Sequence, residues 1–337
     1  MVKKIIVSLC TRGRYQDYLP MAIQSLAMQT HKPDHIRIFD DNDEPKDLRQ
    51  ISSYKYLFTL LEEKGIGWDV VFGQKKGQHF NDEMANMSGY DYVWRFDDDE
   101  IAEPNCLEEM LKEMTDDVGA VGCLVLTPPT YSLPLEADNK IDNLYLPNIQ
   151  WFNWEGEPRE VEHLHSSFLY RAGIVHFDLR LSQVSFRGET MFSHSLFRKG
   201  YKLLVNPKAK VWHFQSKTGG CRTEEQEQKR KEMYFNDEII FQDWLKFQKE
   251  GKKLYILNGG LGDHIIFKKT FPNLDNSIIA CCYPELFEGQ KVISIFEAQQ
   301  LVDIKDYDVY KWCDDNNWKG ELSEAYLKMY ENLNLTI

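Results

Sequence analysis

Four acids in a row, Asp97-Asp98-Asp99-Glu100, close the apolar and aromatic stretch from Tyr90 to Phe96. Carboxylates packed this tightly repel one another, and each raises the proton affinity of the next. At the end of a surface strand such a run can simply be solvated. Spaced as Asp97-x-Asp99, the same acids also supply what a hard divalent cation with oxygen ligands requires. Two further polar groups, Thr11-Arg12-Gly13-Arg14 and Asp40-Asp41-Asn42-Asp43, likewise follow short apolar runs.

These groups can meet only if the runs before them are strands of one sheet. Ile5 to Leu9, His35 to Phe39, Trp68 to Phe72 and Tyr90 to Phe96 read as β-branched or aromatic strands, while Leu19 to Met28, Tyr54 to Lys64 and Phe80 to Met87 have helical spacing. Strands alternating with helices predict a mostly parallel sheet covered on both faces. Ligands of such sheets bind beyond the carboxyl ends of the strands, so three polar strand ends on one edge predict a cleft.

Beyond the acids, Pro104 to Met114 predicts a helix, Val118 to Leu126 a core strand, and Thr130 to Pro158 a long loop with the composition of a lid. Val161 to Tyr170, Leu203 to Val205 and Lys210 to Phe214 read as strands, and Gly188 to Gly200 as a helix. In the first of these strands His163 and His165 would point to one face, to contact a ligand or to pack. The charged segment Thr223 to Glu232 leads into an amphipathic helix ending near Lys249, and the composition restarts after Gly251. The predicted organisation is a first domain over 1–222, a linking helical segment over 223–251 and a small α/β accessory module over 252–337.

With 337 residues, 42% hydrophobic and 13% aromatic, the chain can build a full core. A net charge of −13 and a pI near 5.2 argue against a general polyanion binder, which needs clustered Lys and Arg. A local basic group, Arg198, Lys199, Lys202, Lys208, Lys210 and Lys217, keeps a nucleic-acid contact open. No apolar run is long enough to span a bilayer, and a cytoplasmic location is expected. Seven cysteines show neither C-x-x-C pairing nor zinc spacing, and are expected to be reduced core thiols.

In their order these pieces resemble the family-two glycosyltransferases of the A-type fold, a nucleotide-sugar-binding α/β domain. The likeness rests on Ile6 to Cys10 with the turn Thr11-x-x-Arg14, Gln29-Thr30, Asp40-Asp41, Gly77-x-x-x-Asn81 and Asp97-x-Asp99 as the family's D-x-D signature. Phe80 stands where the family often has arginine. The resemblance implies that Thr11, Arg14, Asp40, Asp41, Asn81 and Asp97 bind the donor, with Asp40-Asp41 at the uracil and ribose of a UDP-sugar. It also implies that Asp97 and Asp99 hold Mn²⁺ or Mg²⁺. Gly188-Glu189-Thr190-Met191, ahead of Arg198-Lys199-Gly200-Tyr201, resembles the segment with the catalytic base, which places Glu189 at the base position and Met191 where a second acid is common. Lys210 to Phe214 resembles the family's last strand, whose histidine, here His213, completes the metal site ahead of a mobile loop at Ser216 to Gly220.

The implied chemistry needs these residue types. A nucleoside diphosphate leaves with developing negative charge, which a divalent ion on its phosphates stabilises. An acceptor hydroxyl attacks the anomeric carbon once a carboxylate takes its proton, and attack opposite the leaving group inverts the centre. The acceptor is expected to be a glycan or lipid-linked sugar, with protein or a hydroxylated nucleic-acid base as the other hydroxyl classes. Two alternatives remain open. A nucleotidyltransferase would normally carry a glycine-rich basic loop after its first strand, where Thr11 to Arg14 holds one glycine. A non-catalytic sugar-nucleotide-fold binding protein stays open because Met191 departs from the motif, and Glu189 would then be a helix-start glutamate placed by the helix dipole.

In the C-terminal module, Leu254 to Asp263 weakly resembles the first strand, glycine turn and helix of heptosyltransferase-type enzymes. The turn Gly259-Gly260-Leu261-Gly262 could cradle a phosphate at a helix N-terminus, but Asp263 opposes an anion there. A structural module is therefore expected.

Overall fold

The structure is a computed structural model and describes residues 3–130, 137–144, 146–216, 219–220, 227–249, 253–275, 277–299, 302 and 304–333. The chain divides into two compact units, Met1–Ile239 and Ile240–Ile337.

In the first unit, β1 (Ile5–Thr11), β2 (His35–Asp40), β3 (Gly67–Phe72) and β4 (Tyr92–Asp97) alternate with α1 (Leu19–Ala27), α2 (Ser52–Glu63) and α3 (Gln78–Asn86). The strands pair in parallel in the order β3-β2-β1-β4. The near-continuous apolar run of β1 suits a strand with both faces covered. Ile5, Val7 and Leu9 enter one apolar cluster while Ile6, on the opposite face, enters another. Then follow β5 (Glu100–Ala102), α4 (Cys106–Glu113), β6 (Val118–Leu126), β7 (Arg159–Val161), β8 (Phe168–Arg171), α5 (Gly188–Arg198) and β9 (Lys202–His213). They extend the sheet as β4-β8-β6-β9-β5, with β8 antiparallel to both neighbours and β7 paired with β9.

Two strand expectations change. The stretch 161–170 is not one strand, because residues 162–167 leave the ladder between β7 and β8, and Ser166 takes a left-handed φ of 49°. His163 and His165 therefore share no strand face, and their rings meet edge to face at 4.9 Å. Conversely, 203–205 and 210–213 belong to the single strand β9. Its register on β6 jumps from Cys123 opposite Asn206 to Leu124 opposite Lys210. The extra residues include Pro207, which has no N–H to give the ladder.

Helix α6 (Glu227–Lys249) contains the division between the units. Gly251, Thr223 to Gln226, Lys217 and Cys221 lie outside the described residues. The second unit carries a parallel three-stranded sheet, β10 (Lys253–Leu257), β11 (Ser277–Cys281) and β12 (Lys291–Ile293), with α7 (Leu261–Thr270), α8 (Ile295–Gln299), α9 (Val309–Asp315) and α10 (Leu322–Leu333). On the edge strand β10, the hydroxyl of Tyr330 accepts from Ile256 N at 2.9 Å and donates to Ile256 O at 2.8 Å. It thereby satisfies both groups that no further strand pairs. Among the described residues no helix is long and apolar enough to cross a membrane.

Candidate active site

Strand β1 lies between β2 and β4 in a register that sets Thr11 beside Asp40 and Cys10 beside Asp97. The three parallel strands end level, and the segments that follow meet at one edge. The pocket there is lined by Cys10, Arg12, Arg14, Asp41, Gln78, Asp97, Asp98, Asp99 and His213, with Gln183, Val184 and Tyr234 on a second wall.

The acid run divides into two pairs by the partners of each acid. After Asp97 the chain turns and returns as β5, which pairs with the end of β9 so that Glu100 faces His213. This brings one ligand atom each of Asp97, Asp99 and His213 within 4.8 Å of one another. His213 Nε2 stands 3.4 Å from Asp99 Oδ1, and Ser216 N donates to Asp99 Oδ2 at 2.9 Å. Burial works against the Asp99 charge, but His213 and then Arg14 outweigh it and hold its carboxyl down at about 2. Asp97 is also held below the usual range, by Arg95 and His213 against its burial. The alternate acids go the other way. Asp98 is pushed up to about 6 by burial, although Arg14 binds its Oδ1 and Thr11 Oγ1 donates to its Oδ2 at 2.7 Å. Burial drives Glu100 well above the usual range, where its Oε2 accepts from Asp97 N at 3.1 Å. Asp97 and Asp99 are thus the acids of the run whose ionised form the fold favours, while Asp98 binds Thr11 and Arg14 and Glu100 holds the turn. The expectation of a solvated strand end does not hold, since Asp98, Asp99 and Glu100 are all buried.

Arg95 is a residue that sequence reasoning missed. Its guanidinium is buried, donates from Nε to Asp82 Oδ2 at 3.0 Å and from Nη2 to Glu189 Oε1 at 2.8 Å, and lies 3.2 Å from Asp97 Oδ1. Burial opposes its charge, but Asp97, Glu189 and Asp82 together raise its pKa above that of a free arginine. Asp82, which also accepts from Ser8 Oγ at 2.7 Å, is pushed up to about 7 by burial against the pull of Arg95. A signal was present: two residues before Asp97 on a strand, Arg95 shares its face.

The remaining expected site residues separate. Asp41 lines the pocket and accepts from Lys75 N at 3.3 Å. Asp40 does not line it, because its carboxylate is taken by the Tyr15 hydroxyl and, at 2.7 Å, by Asn42 Nδ2. Thr11 is likewise turned inward to Asp98, and Arg14 reaches the pocket while paired with Asp98 and Asp99. Asn81 is buried behind the wall, with Nδ2 3.0 Å from Cys10 Sγ. Glu189, in the first turn of α5, is absent from the lining and connects to it through Arg95. Gln78, whose Nε2 donates to Asp97 Oδ1 at 2.8 Å, and Cys10 belong to the lining without having been singled out.

Fold and site define an α/β domain with an acidic pocket at the carboxyl edge of a mostly parallel sheet flanked by helices. Residues 5–130 match the family described as glycosyl transferase family 2. No curated protein matches the chain in sequence. Among solved structures it is similar to GalNAc-T7 with UDP, GalNAc and Mn²⁺, at 14% identity and a TM-score of 0.49, over 63% of this chain and 44% of that one. It is also similar to TarS of S. aureus, at 12% identity and a TM-score of 0.48, over 96% and 50% of the two chains. A TarS structure covering residues 1–349 in complex with UDP matches at 11% identity and a TM-score of 0.48, over 98% and 91%. The chain thus spans about half the length of the first two.

Proposed function

We propose that this protein is a metal-dependent, inverting glycosyltransferase that moves a sugar from a nucleoside-diphosphate donor, with UDP as the nucleotide, to a hydroxyl acceptor. The observation that carries the reading is the convergence of Asp97, Asp99 and His213 in a pocket that also presents Asp41, Arg12 and Arg14. The donor set fits the implied ion, because two carboxylates kept ionised beside an imidazole suit a hard divalent cation such as Mn²⁺ or Mg²⁺. When bound, the ion supplies positive charge to the departing diphosphate.

The chain's own residues supply the rest. Gln78 and Arg95 orient Asp97, and Ser216 N orients Asp99, the second layer of contacts that fixes ligand geometry. Asp41, which lines the same pocket, suits the uracil and ribose. Arg12 and Lys75, both on Asp43, line the pocket and can meet the diphosphate. Glu189, oriented by Arg95, is the base that takes the acceptor proton. A glycan or lipid-linked sugar is the acceptor class we favour.

The test is hydrolysis of a panel of labelled UDP- and other nucleotide-linked sugars, with Mn²⁺ or with EDTA. Metal-dependent release of UDP that Asp99→Asn abolishes is expected. Release unchanged by EDTA, or cleavage of nucleoside triphosphates in place of sugar donors, would refute the reading in favour of a nucleotidyltransferase or a metal-free site.

A further inference from the structure

The second wall of the pocket is made by a short segment whose own bonds, Ser185 N to Ser182 O at 2.9 Å and Val184 N to Ser182 Oγ at 3.2 Å, form a local turn that groups from another helix anchor. Residues 182–187 connect to α5 through two left-handed non-glycine residues, Ser185 at φ 53° and Arg187 at φ 69°. Such residues persist only where surrounding structure fixes them. Within the segment, Gln183 and Val184 line the pocket. The Gln183 side chain reaches Lys75 O. Its backbone lies so close to Gly77 that a Cβ there would stand 2.8 Å from Gln183 O.

The fixing groups come from α6, about fifty residues further along the chain. Asp237 is buried, and its carboxylate accepts from Ser182 N at 2.6 Å, Ser182 Oγ at 2.8 Å and Phe186 N at 2.8 Å. Glu238 Oε2 accepts from Arg187 Nε at 3.2 Å. Tyr234, one turn earlier, lies edge-on to Phe186 with ring centroids 4.7 Å apart, and itself lines the pocket. Spacings of three and four place Tyr234, Asp237 and Glu238 on one face of the helix. That face grips the segment at both ends.

We infer that Asp237 is a positioning residue for donor binding: by gripping Ser182 and Phe186 it sets the wall formed by Gln183 and Val184 and the start of the helix that carries Glu189. This inference rests on the donor reading of the pocket proposed above. It makes the first half of α6 part of the site, where the sequence reads only a linking segment. The carboxylate is specifically required because both of its oxygens accept. An asparagine keeps one acceptor and turns an NH₂ toward donors, one of which, the Phe186 backbone N–H, cannot reverse.

The test compares wild type, Asp237→Asn and Asp237→Ala in the full chain by three readouts. Amide hydrogen exchange at Ser182 and Phe186 reports the grip without any ligand, and both variants should lose protection there while β1 and β4 keep theirs. Calorimetric titration with UDP and Mn²⁺ should show about tenfold weaker binding in Asp237→Asn. Turnover of the active donor should show KM raised by a similar factor with kcat less affected. Unchanged exchange at residues 182–187 would overturn the inference outright. A lowered melting temperature with normal UDP affinity and KM would also overturn it, because Asp237 would then serve stability alone. If wild type binds no nucleotide, the exchange result still decides the grip, and the failure falls on the donor reading.

Discussion

Asp82 offers a sharp test of the buried charge network behind the pocket. It shares Arg95 with Asp97 and Glu189, so three carboxylates meet one guanidinium, and burial pushes Asp82 up to about 7. A carboxyl whose folded-state pKa lies above its unfolded value stabilises the fold fully below the unfolded pKa, near 4, and loses that contribution as pH rises through the folded value. At about pH 5.5 the contribution is roughly 1.5 units of pH, or about 2 kcal/mol, and by about pH 8 it is gone. Wild type should therefore lose about 2 kcal/mol from this group across that window, a shift of about 4–8 °C in Tm for a unit of this size. Asp82→Asn removes the titration. It also replaces the charged acceptor of Arg95 Nε by a neutral amide oxygen, with the NH₂ on the Ser8 hydroxyl, which lowers the absolute stability by about 1–3 kcal/mol. The slope is therefore the informative quantity. Urea unfolding of both proteins at several pH values across this range measures it, and Asp98 and Glu100 contribute equally to the two. A decline in the variant as steep as in wild type would refute the argument, and would mean that Asp82 stays ionised against Arg95 throughout.

Three further outcomes are expected. Asp98→Ala removes the carboxylate bound to the buried Arg14 and should destabilise by about 3 kcal/mol in urea unfolding, while Asp99→Asn should abolish the rise in Tm that Mn²⁺ gives wild type. A metal response retained by Asp99→Asn would remove Asp99 from the ligand set. Glu189→Gln should lower turnover roughly 10²-fold with UDP affinity nearly unchanged; normal turnover would leave Glu189 as a partner of Arg95 and place the base elsewhere. In the second unit, Gly259→Val should lower the calorimetric Tm and Gly260→Val should not. A Cβ on Gly259 would meet Asp263 Oδ2 at 2.3 Å, where that carboxylate accepts from Gly260 N, whereas on Gly260 the nearest atom is 3.7 Å away.

The strand and helix order of the first unit was legible because apolar periodicity reports burial directly. β1, β2, β3 and β4 lie within a residue or two of the runs read from sequence. The same logic failed at 161–170 and 203–214. A break at Ser166 and a bulge at Pro207 depend on neighbouring strands rather than on local composition.

For the site, sequence alone supplied the residue types and their order: Asp97-x-Asp99 after a strand, Asp41 after another, His213 at the end of a third. Only the tertiary structure decided which members of each acidic group face the pocket. Asp40 has the composition of a site residue, yet Tyr15 and Asn42 take its oxygens inward, and Asp98, although it lines the pocket, is bound by Thr11 and Arg14. The role of Asp237 was invisible, and that of Arg95 was signalled only by the strand face it shares with Asp97. An arginine in an apolar strand and an aspartate in a charged helix gain meaning only when folding buries them against Glu189 and Ser182, ninety-four and fifty-five residues away. The physical reason is general: periodicity is written along the chain, whereas the pairing of a buried charge is set by whichever distant group the fold delivers beside it.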